Sequence, residues 1–225
     1  MDTDTSKEMK LHFETLPLET REAFEFLSHE QWIRKTSWYL AGGTALALHT
    51  GNRKSIDLDF FTQESSFSAT DVLSNFSHNP NWKTEVDRKN TIYGELFGAK
   101  VSFIAYPFFI PKQEFASYGS IKILQSRDIA VMKIIAVSQR GRKRDFFDLY
   151  WCAHNIEPLI DIIKRLPEQY PSVAHDYHNI LKSLVYFDDA ESDPNPEINF
   201  NIDWETVKSF FQKEVIIIMD KLIPA

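Results

Sequence analysis

Two glycines at the junction between an apolar segment and a helix-favouring segment constrain this chain most. Residues 39–41 have the character of a short buried strand, and residues 45–48 have good helix propensity, so Gly42 and Gly43 fall where a strand becomes a helix. The first N–H groups of a helix lack internal partners, and glycine lets a phosphate approach them closely. We therefore predict a phosphate-binding turn at Gly42 and Gly43, with Thr44 as a cap or a phosphate contact.

Two aspartates follow on a segment that alternates between polar and apolar residues. Residues 55–61 predict a strand with Asp57 and Asp59 on one face. The opposite face then carries the apolar residues Ile56, Leu58 and Phe60. Carboxylates at i and i+2 lie roughly 7 Å apart at Cα and repel each other unless a cation lies between them. Mg²⁺, or Mn²⁺ in its place, prefers such oxygen ligands, so the pattern predicts a divalent metal held by Asp57 and Asp59.

Either motif alone has a simpler explanation. A pair of glycines often makes only a tight turn, and an Asp-x-Asp segment is often the solvated face of an edge strand. The two motifs together, in this order, favour a nucleotide-binding site, because the turn, the helix start and the paired acids are mutually consistent.

The sequence resembles the AbiEii/AbiGii toxin family of nucleotidyltransferases, the toxins of type IV toxin–antitoxin and abortive-infection systems. The resemblance begins in residues 42–47 and residues 51–61. It continues in residues 127–136, runs on to Arg140, and ends in residues 144–150. These later residues are similar to the family's helical motif, a lysine followed by an R/K-D-x-x-D-L signature. The matches together frame residues 36–152.

The resemblance implies roles for residues of both motifs. It implies that Lys133 reaches the nucleotide phosphates, although a lysine beside an apolar helical stripe can also extend to solvent. It implies that Asp148, the last aspartate of the helical motif, belongs to the active centre. Arg53 and Ser55, next to the acidic segment, are expected to bind the nucleotide.

One position departs from the wider polymerase-β pattern. Such nucleotidyltransferases commonly carry a third carboxylate on a later strand of the same sheet, and Ser102 stands at the expected place. Glu95 and Asp148 are the two acids that we expect to compensate, and a two-aspartate site without a separate base is the alternative.

The resemblance also implies an activity. We expect Mg²⁺-dependent transfer of a nucleoside monophosphate from an NTP to an acceptor hydroxyl, with tRNA as the first choice of acceptor and a protein as the second. An antitoxin encoded nearby is the expected partner. Two other functions remain open: a catalytically weak, nucleotide-binding regulatory protein, and a nucleotidyltransferase acting on a small molecule such as an aminoglycoside.

Two charged segments bear on the acceptor. The basic residues at positions 140, 142, 143 and 144 are either a track for an RNA backbone or a solvated corner between helices. The acidic segment 188–197, which is expected to be a loop without core-forming residues, would attract a cationic small acceptor.

Composition excludes several classes of protein. The net charge of −7 argues against a broad nucleic-acid-binding surface. The single cysteine, Cys152, excludes an internal disulfide, and its apolar and aromatic neighbours predict a buried structural thiol. No stretch reaches 18 apolar residues and the start is polar and acidic, unlike a signal peptide, so we expect a cytoplasmic protein with no membrane role.

We predict an α+β fold: a nucleotidyltransferase-like mixed sheet with flanking helices, followed by a C-terminal helical lobe. The first lobe is expected over residues 1–120 and the helical lobe, which completes the active site, over residues 121–225. The predicted strands are the segment before Gly42 and residues 55–61, 83–87, 91–97 and 100–106, of which the last three form a meander. The predicted helices are 18–35, 43–50, 69–76, 126–139, 144–154, 157–166, 173–187 and 203–221.

Overall fold

A seven-stranded mixed sheet forms the centre of the structure, a computed structural model that describes residues 10–222. Its strands are β1 (Tyr39–Ala41), β2 (Leu58–Thr62), β3 (Trp82–Arg88), β4 (Thr91–Leu96), β5 (Ala99–Ala105), β6 (Ala116–Tyr118) and β7 (Ile121–Ile123). Their spatial order is β3-β4-β5-β2-β1-β7-β6. The pairs β1–β7 and β2–β5 are parallel and the others antiparallel, so the predicted mixed α+β architecture is confirmed.

Helices surround this sheet and make up most of the chain after residue 125. Those before or between the strands are α1 (Leu18–His29), α2 (Gln31–Arg34), α3 (Gly42–Thr50) and α4 (Ala69–Ser74). Those after the sheet are α5 (Ser126–Arg140), α6 (Lys143–Asn155), α7 (Leu159–Lys164), α8 (Leu166–Gln169), α9 (Tyr177–Ser183), α10 (Asp188–Glu191) and α11 (Trp204–Leu222). No helix within residues 10–222 has the length and apolar character needed to cross a lipid bilayer. The polar and acidic start, residues 1–8, lies outside the described residues.

Aromatic residues fill the core between the sheet and the helices. Phe60 and Phe103 stack at 5.3 Å on neighbouring strands, and Trp38 and Trp32 pack on Phe103. Cys152 is fully buried in α6, as predicted, and burial raises the pKa of its thiol well above the usual range. This thiol is therefore an apolar packing group.

Three predicted elements differ from the structure for identifiable reasons. The helix predicted over 18–35 breaks at Glu30, because the carbonyl of Ser28 accepts a hydrogen bond from the N–H of Ser120 at 2.6 Å. The helix predicted over 173–187 begins only at Tyr177, where Asp176 caps it. The acidic segment is not free of core residues, since α10 buries Ala190.

The hairpin β6–β7 was not predicted, although a two-residue Gly-Ser turn at Gly119 and Ser120 is a recognised hairpin signal. Gly119 has φ +56°, and a Cβ there would lie 2.3 Å from the carbonyl oxygen of Ser28. The expected lobe boundary near residue 120 falls inside this hairpin, and the sheet continues to Ile123.

Candidate active site

A cavity of about 700 Å³ lies between the sheet and the helices that follow it. Its charged lining side chains come from separate segments: Arg53, Asp57, Asp59, Glu85, Lys100, Lys133, Arg140 and Arg144. Its apolar and aromatic lining includes Phe61 and Ile104 near the C-terminal ends of β2 and β5, Ile129 and Met132 in the first half of α5, and Tyr106 and Tyr170. The cavity therefore has a charged end and an apolar end.

Asp57 and Asp59 both face the charged end of the cavity, as predicted, but only one of them belongs to a strand. Strand β2 begins at Leu58, because the preceding backbone is held by other segments: the N–H of Ser55 donates to Thr15, and the carbonyl of Asp57 accepts from the Thr44 hydroxyl. The predicted alternation fails at the same place. Ile56 was expected on the buried face, and its side chain is 54% exposed.

Ser102 lies directly beside Asp59 in the paired strands β2 and β5. Its hydroxyl donates a hydrogen bond of 2.6 Å to Asp59 Oδ1. The position of the expected third carboxylate is therefore taken by a hydroxyl group that holds the carboxylate of Asp59 in place. Burial raises the pKa of Asp59, and the nearby charge of Asp57 raises it further, while Ser102 and two arginines act in the opposite direction. A cation bound between the two acids would therefore reduce their repulsion and stabilise the ionised form of Asp59.

The two glycines make room for functional side chains. Gly42 has φ +70°, and a Cβ there would lie 3.1 Å from Asp59 Oδ2. A Cβ on Gly43 would lie 2.3 Å from Arg53 Nη2 and 3.2 Å from Ser55 Oγ. Both glycines line the cavity at the start of α3, so they admit a close approach of Asp59 and Arg53 as well as leaving helix N–H groups near the cavity.

Thr44 does not line the cavity within the described residues; it is buried behind it. Its hydroxyl donates to the carbonyl of Asp57, and the hydroxyl of Ser55 lies 2.9 Å from it. Ser55 itself lines the cavity. The geometry makes Thr44 a support for Ser55 and Asp57, and leaves Ser55 as the hydroxyl that faces a ligand.

Asp148 is fully buried and its carboxylate is occupied by three neighbours. Arg53 donates to it through Nε at 2.7 Å and Nη2 at 2.9 Å, Asn52 donates at 3.0 Å, and Lys133 Nζ lies 2.6 Å from Oδ2. Burial alone would raise the pKa of Asp148, but the charges of Arg53 and Lys133 outweigh it and hold the pKa well below the usual range. Asp148 does not line the cavity, so it orients cations that do.

Lys133 joins Asp148 to a second buried acid. Its Nζ donates to Asp145 Oδ1 at 2.7 Å, and Arg140 Nε donates to Asp145 Oδ2 at 2.9 Å. We call Arg53, Lys133, Arg140, Asp145 and Asp148 the ion-pair cluster; it has three cations and two acids. Burial raises the pKa of Asp145, but Lys133 and Arg140 outweigh this effect and lower it overall. The cluster's three cations all line the cavity.

The four basic residues at positions 140–144 do not form one RNA-binding track. Arg142 pairs with Asp193 at 2.8 Å, and Lys143 is buried, with its Nζ on the carbonyl oxygen of Asp193. Arg140 and Arg144 instead face the cavity, where Arg144 Nη1 lies 3.3 Å from Asp57 Oδ2. The sequence showed these four basic residues as one group. It did not show that two of them face the cavity while the other two pair with Asp193.

The donor set at Asp57 and Asp59 fits a divalent cation. Two carboxylates with a hydroxyl nearby are hard oxygen ligands, and Mg²⁺ commonly uses one or two carboxylates together with substrate phosphates. No group of three or more His, Cys, Asp or Glu residues suited to a metal occurs in residues 10–222, so this pair would not enclose a metal without a substrate.

Comparisons with known proteins agree with this architecture. A family model described as "Nucleotidyl transferase AbiEii toxin, Type IV TA system" matches residues 25–108 and 99–215. An uncharacterised protein of Aquifex aeolicus is 35% identical over 182 residues, which are 79% of this chain and 86% of that protein.

Two solved structures share the fold. A protein from H. pylori assigned as a nucleotidyltransferase is 19% identical, with a TM-score of 0.53 over 92% of this chain and 97% of its own. The nucleotidyltransferase toxin MenT4 from Mycobacterium tuberculosis is 12% identical, with a TM-score of 0.51 over 91% of this chain and 86% of its own. At these identities the likeness concerns the fold alone.

Proposed function

This chain belongs to the nucleotidyltransferase AbiEii toxin family, and from that premise we propose that it transfers a nucleoside monophosphate from an NTP to an acceptor hydroxyl, releasing pyrophosphate. One observation carries the proposal: Asp57 and Asp59 face a cavity that is also lined by five cations, which are Arg53, Lys100, Lys133, Arg140 and Arg144. Paired acids surrounded by cations suit a metal-bound triphosphate better than any uncharged ligand.

The reaction requires the acceptor hydroxyl to lose its proton to water and its oxygen to attack the α-phosphorus, while the bond to the pyrophosphate oxygen breaks on the opposite side and the pyrophosphate leaves with that electron pair. A divalent metal held by Asp57 and Asp59 would neutralise phosphate charge and polarise the α-phosphate. The side chains of Arg140 and Arg144 would stabilise the charge that develops on the leaving pyrophosphate. Ser55 Oγ and the free N–H groups at the start of α3 would hold phosphate oxygens in place.

The apolar end of the cavity suits the base and ribose of the donor. It continues into a second cavity of about 410 Å³, and the two share Tyr106, Ile135, Gln139 and Tyr170. Aromatic and aliphatic walls with a few polar groups are typical of sites that hold a planar ligand. The donor would thus lie with its phosphates at the charged end and its base at the apolar end.

We propose tRNA as the acceptor, an antitoxin as the partner, and a cytoplasmic role as a type IV toxin in abortive infection. The family match supports the toxin role. The small-molecule alternative loses its main support, because within the described residues no member of the acidic segment 188–197 lines either cavity. Several of its acids are engaged elsewhere: Asp193 pairs with Arg142, and Glu191 pairs with Lys208.

A labelling experiment tests the function. The protein is incubated with each α-³²P NTP and Mg²⁺ or Mn²⁺, in the presence of tRNA, RNA depleted of tRNA, or RNase-treated extract. We expect label in tRNA with one or a few of the NTPs, and no label with a variant that carries asparagine at both Asp57 and Asp59. Label in protein or in a small molecule would overturn the tRNA acceptor, and NTP binding without label in any fraction would favour the regulatory alternative.

Replacing Lys133 tests the only lysine in the ion-pair cluster. A lysine ammonium has three N–H donors, and two are used by Asp145 and Asp148, which leaves one for a phosphate. We expect Lys133→Ala to slow transfer by about ten- to a thousandfold. Lys133→Arg should not restore the rate fully, because the planar guanidinium group of arginine cannot replace the compact ammonium group of lysine.

The measurements are the Kd for NTP and the turnover rate, taken at a temperature where the variant is folded. Lys122 provides the control: it is partly buried, its Nζ donates to the carbonyl of Thr36, and it lines neither cavity. If Lys133→Ala changes thermal stability but neither the Kd for NTP nor the turnover rate, Lys133 has only a structural role.

A further inference from the structure

Strand β3 contains an irregularity beside the cavity. Its register with β4 pairs Thr84 with Gly94 and then Val86 with Tyr93, so Glu85 is an extra residue without a partner. In a regular strand successive side chains point to opposite faces, but a β-bulge lets two neighbours share a face. Glu85 and Val86 both line the cavity. The bulge therefore turns a carboxylate toward the site.

Glu85 lies in a wall with two other side chains, Tyr93 of β4 and Lys100 of β5. We call these three residues the outer wall. Tyr93 is 42% exposed. Within residues 10–222, none of the three side chains has a hydrogen bond or ion pair with another residue, unlike the cations of the ion-pair cluster. Unpaired groups of this kind are available to a ligand.

The register across the sheet locates the outer wall relative to the metal-binding acids. Asp59 pairs with Ser102, Ser102 with Tyr93, and Tyr93 with Val86, so one row crosses four strands. Three strand spacings place the Cα of Val86 roughly 14 Å from that of Asp59. Glu85 is thus too distant to bind the same metal as Asp59, and it does not replace the missing third carboxylate.

The chemistry of the outer wall fits one end of a single-stranded nucleic acid. An exposed aromatic ring stacks on a base regardless of its identity, a lysine contacts a backbone phosphate, and a carboxylate accepts hydrogen bonds from hydroxyl or amino groups. The proposed position of the donor uses other walls, since its base would lie near Tyr106 and its phosphates beside Arg140 and Arg144, which line other parts of the cavity.

We propose that Glu85, Tyr93 and Lys100 form the acceptor subsite, where the base of a terminal nucleotide stacks on Tyr93, its phosphate contacts Lys100, and a hydroxyl or amino group donates to Glu85. The inference rests on the proposed function, because it assumes that a nucleic acid is the acceptor. It assigns binding to Glu85 and not proton abstraction, given the distance from Asp59.

Steady-state kinetics with tRNA and the labelled NTP test the subsite. We expect Glu85→Gln and Tyr93→Leu each to raise the KM for tRNA roughly tenfold or more, since a charge-assisted hydrogen bond or a base stack is lost. The Kd for NTP without tRNA should stay within about twofold of the original value. Lys100→Gln should lower the slope of log KM against log salt by about 0.7.

The chain offers a matched control for each main variant. Glu95 does not line the cavity, but it is the cross-strand partner of Lys100 and so is not a neutral control. Glu22 is an exposed glutamate of α1 and Tyr186 is an exposed tyrosine elsewhere, so Glu22→Gln and Tyr186→Leu should leave the KM for tRNA unchanged. Unchanged tRNA KM values in the outer-wall variants would overturn the subsite, and an equal loss of NTP affinity would reassign it to the donor. Absence of labelled tRNA with the original protein would instead overturn the proposed function itself.

Discussion

We expect that replacing either Asp57 or Asp59 with asparagine abolishes nucleotidyl transfer while leaving the protein folded. An amide is a poor ligand for a divalent cation, and a metal supplies several kcal/mol of charge stabilisation, so the expected loss is on the order of a thousandfold or more. Thermal stability should be equal or higher for Asp59→Asn, because burial and the charge of Asp57 already disfavour its ionised form. Initial rates at saturating Mg²⁺ and a thermal melt measure the two effects.

Asp87→Asn is the control for this experiment, since Asp87 lies exposed on β3 and does not line the cavity. Its rate should match that of the original protein. Retained transfer in both single variants at saturating Mg²⁺ would show that the two aspartates do not hold the metal, and transfer would then depend on another site.

Replacing Asp148 with asparagine should be the most destabilising single change in the ion-pair cluster behind the cavity wall. The substitution leaves Arg53 and Lys133 buried with less negative charge, and breaking a buried ion pair on one side costs about 3–5 kcal/mol. For a chain of this size the melting temperature should fall by roughly 6–20 °C. The control is Asp161→Asn, whose exposed pair with Lys164 at 3.8 Å should contribute at most about 1 kcal/mol.

The two buried acids of the ion-pair cluster predict how the stability of the protein depends on pH. The pKa values of Asp145 and Asp148 are lowered in the folded protein, so these acids stay ionised at a pH where the unfolded chain already binds protons. Their contribution is complete above about pH 4 and is lost as the pH falls below it. Urea unfolding from pH 6 to pH 2.5 should therefore show a shallower acid loss for Asp148→Asn. An acid profile parallel to that of the original protein would contradict the lowered pKa.

Local patterns in the sequence were sufficient to predict the glycine turn and most of the architecture. The turn at Gly42 needs a residue that tolerates φ +70°, and the meander from β3 to β5 follows the alternation of its residues. The long helices α5, α6 and α11 lie within one or two residues of the predicted ranges because their apolar periodicity is strong. Such features depend on neighbours a few residues apart, which a sequence displays directly.

Contacts between distant segments were decided only by the tertiary structure. Arg53 and Asp148 are 95 residues apart in the chain, and nothing near either residue indicates that they pair. The same is true of Thr44, which supports Asp57 from behind the cavity wall, and of Glu85, which faces the cavity because β3 bulges at that point. A side chain's partner depends on how whole elements pack, whereas a local pattern specifies only the conformation and the face of its own element.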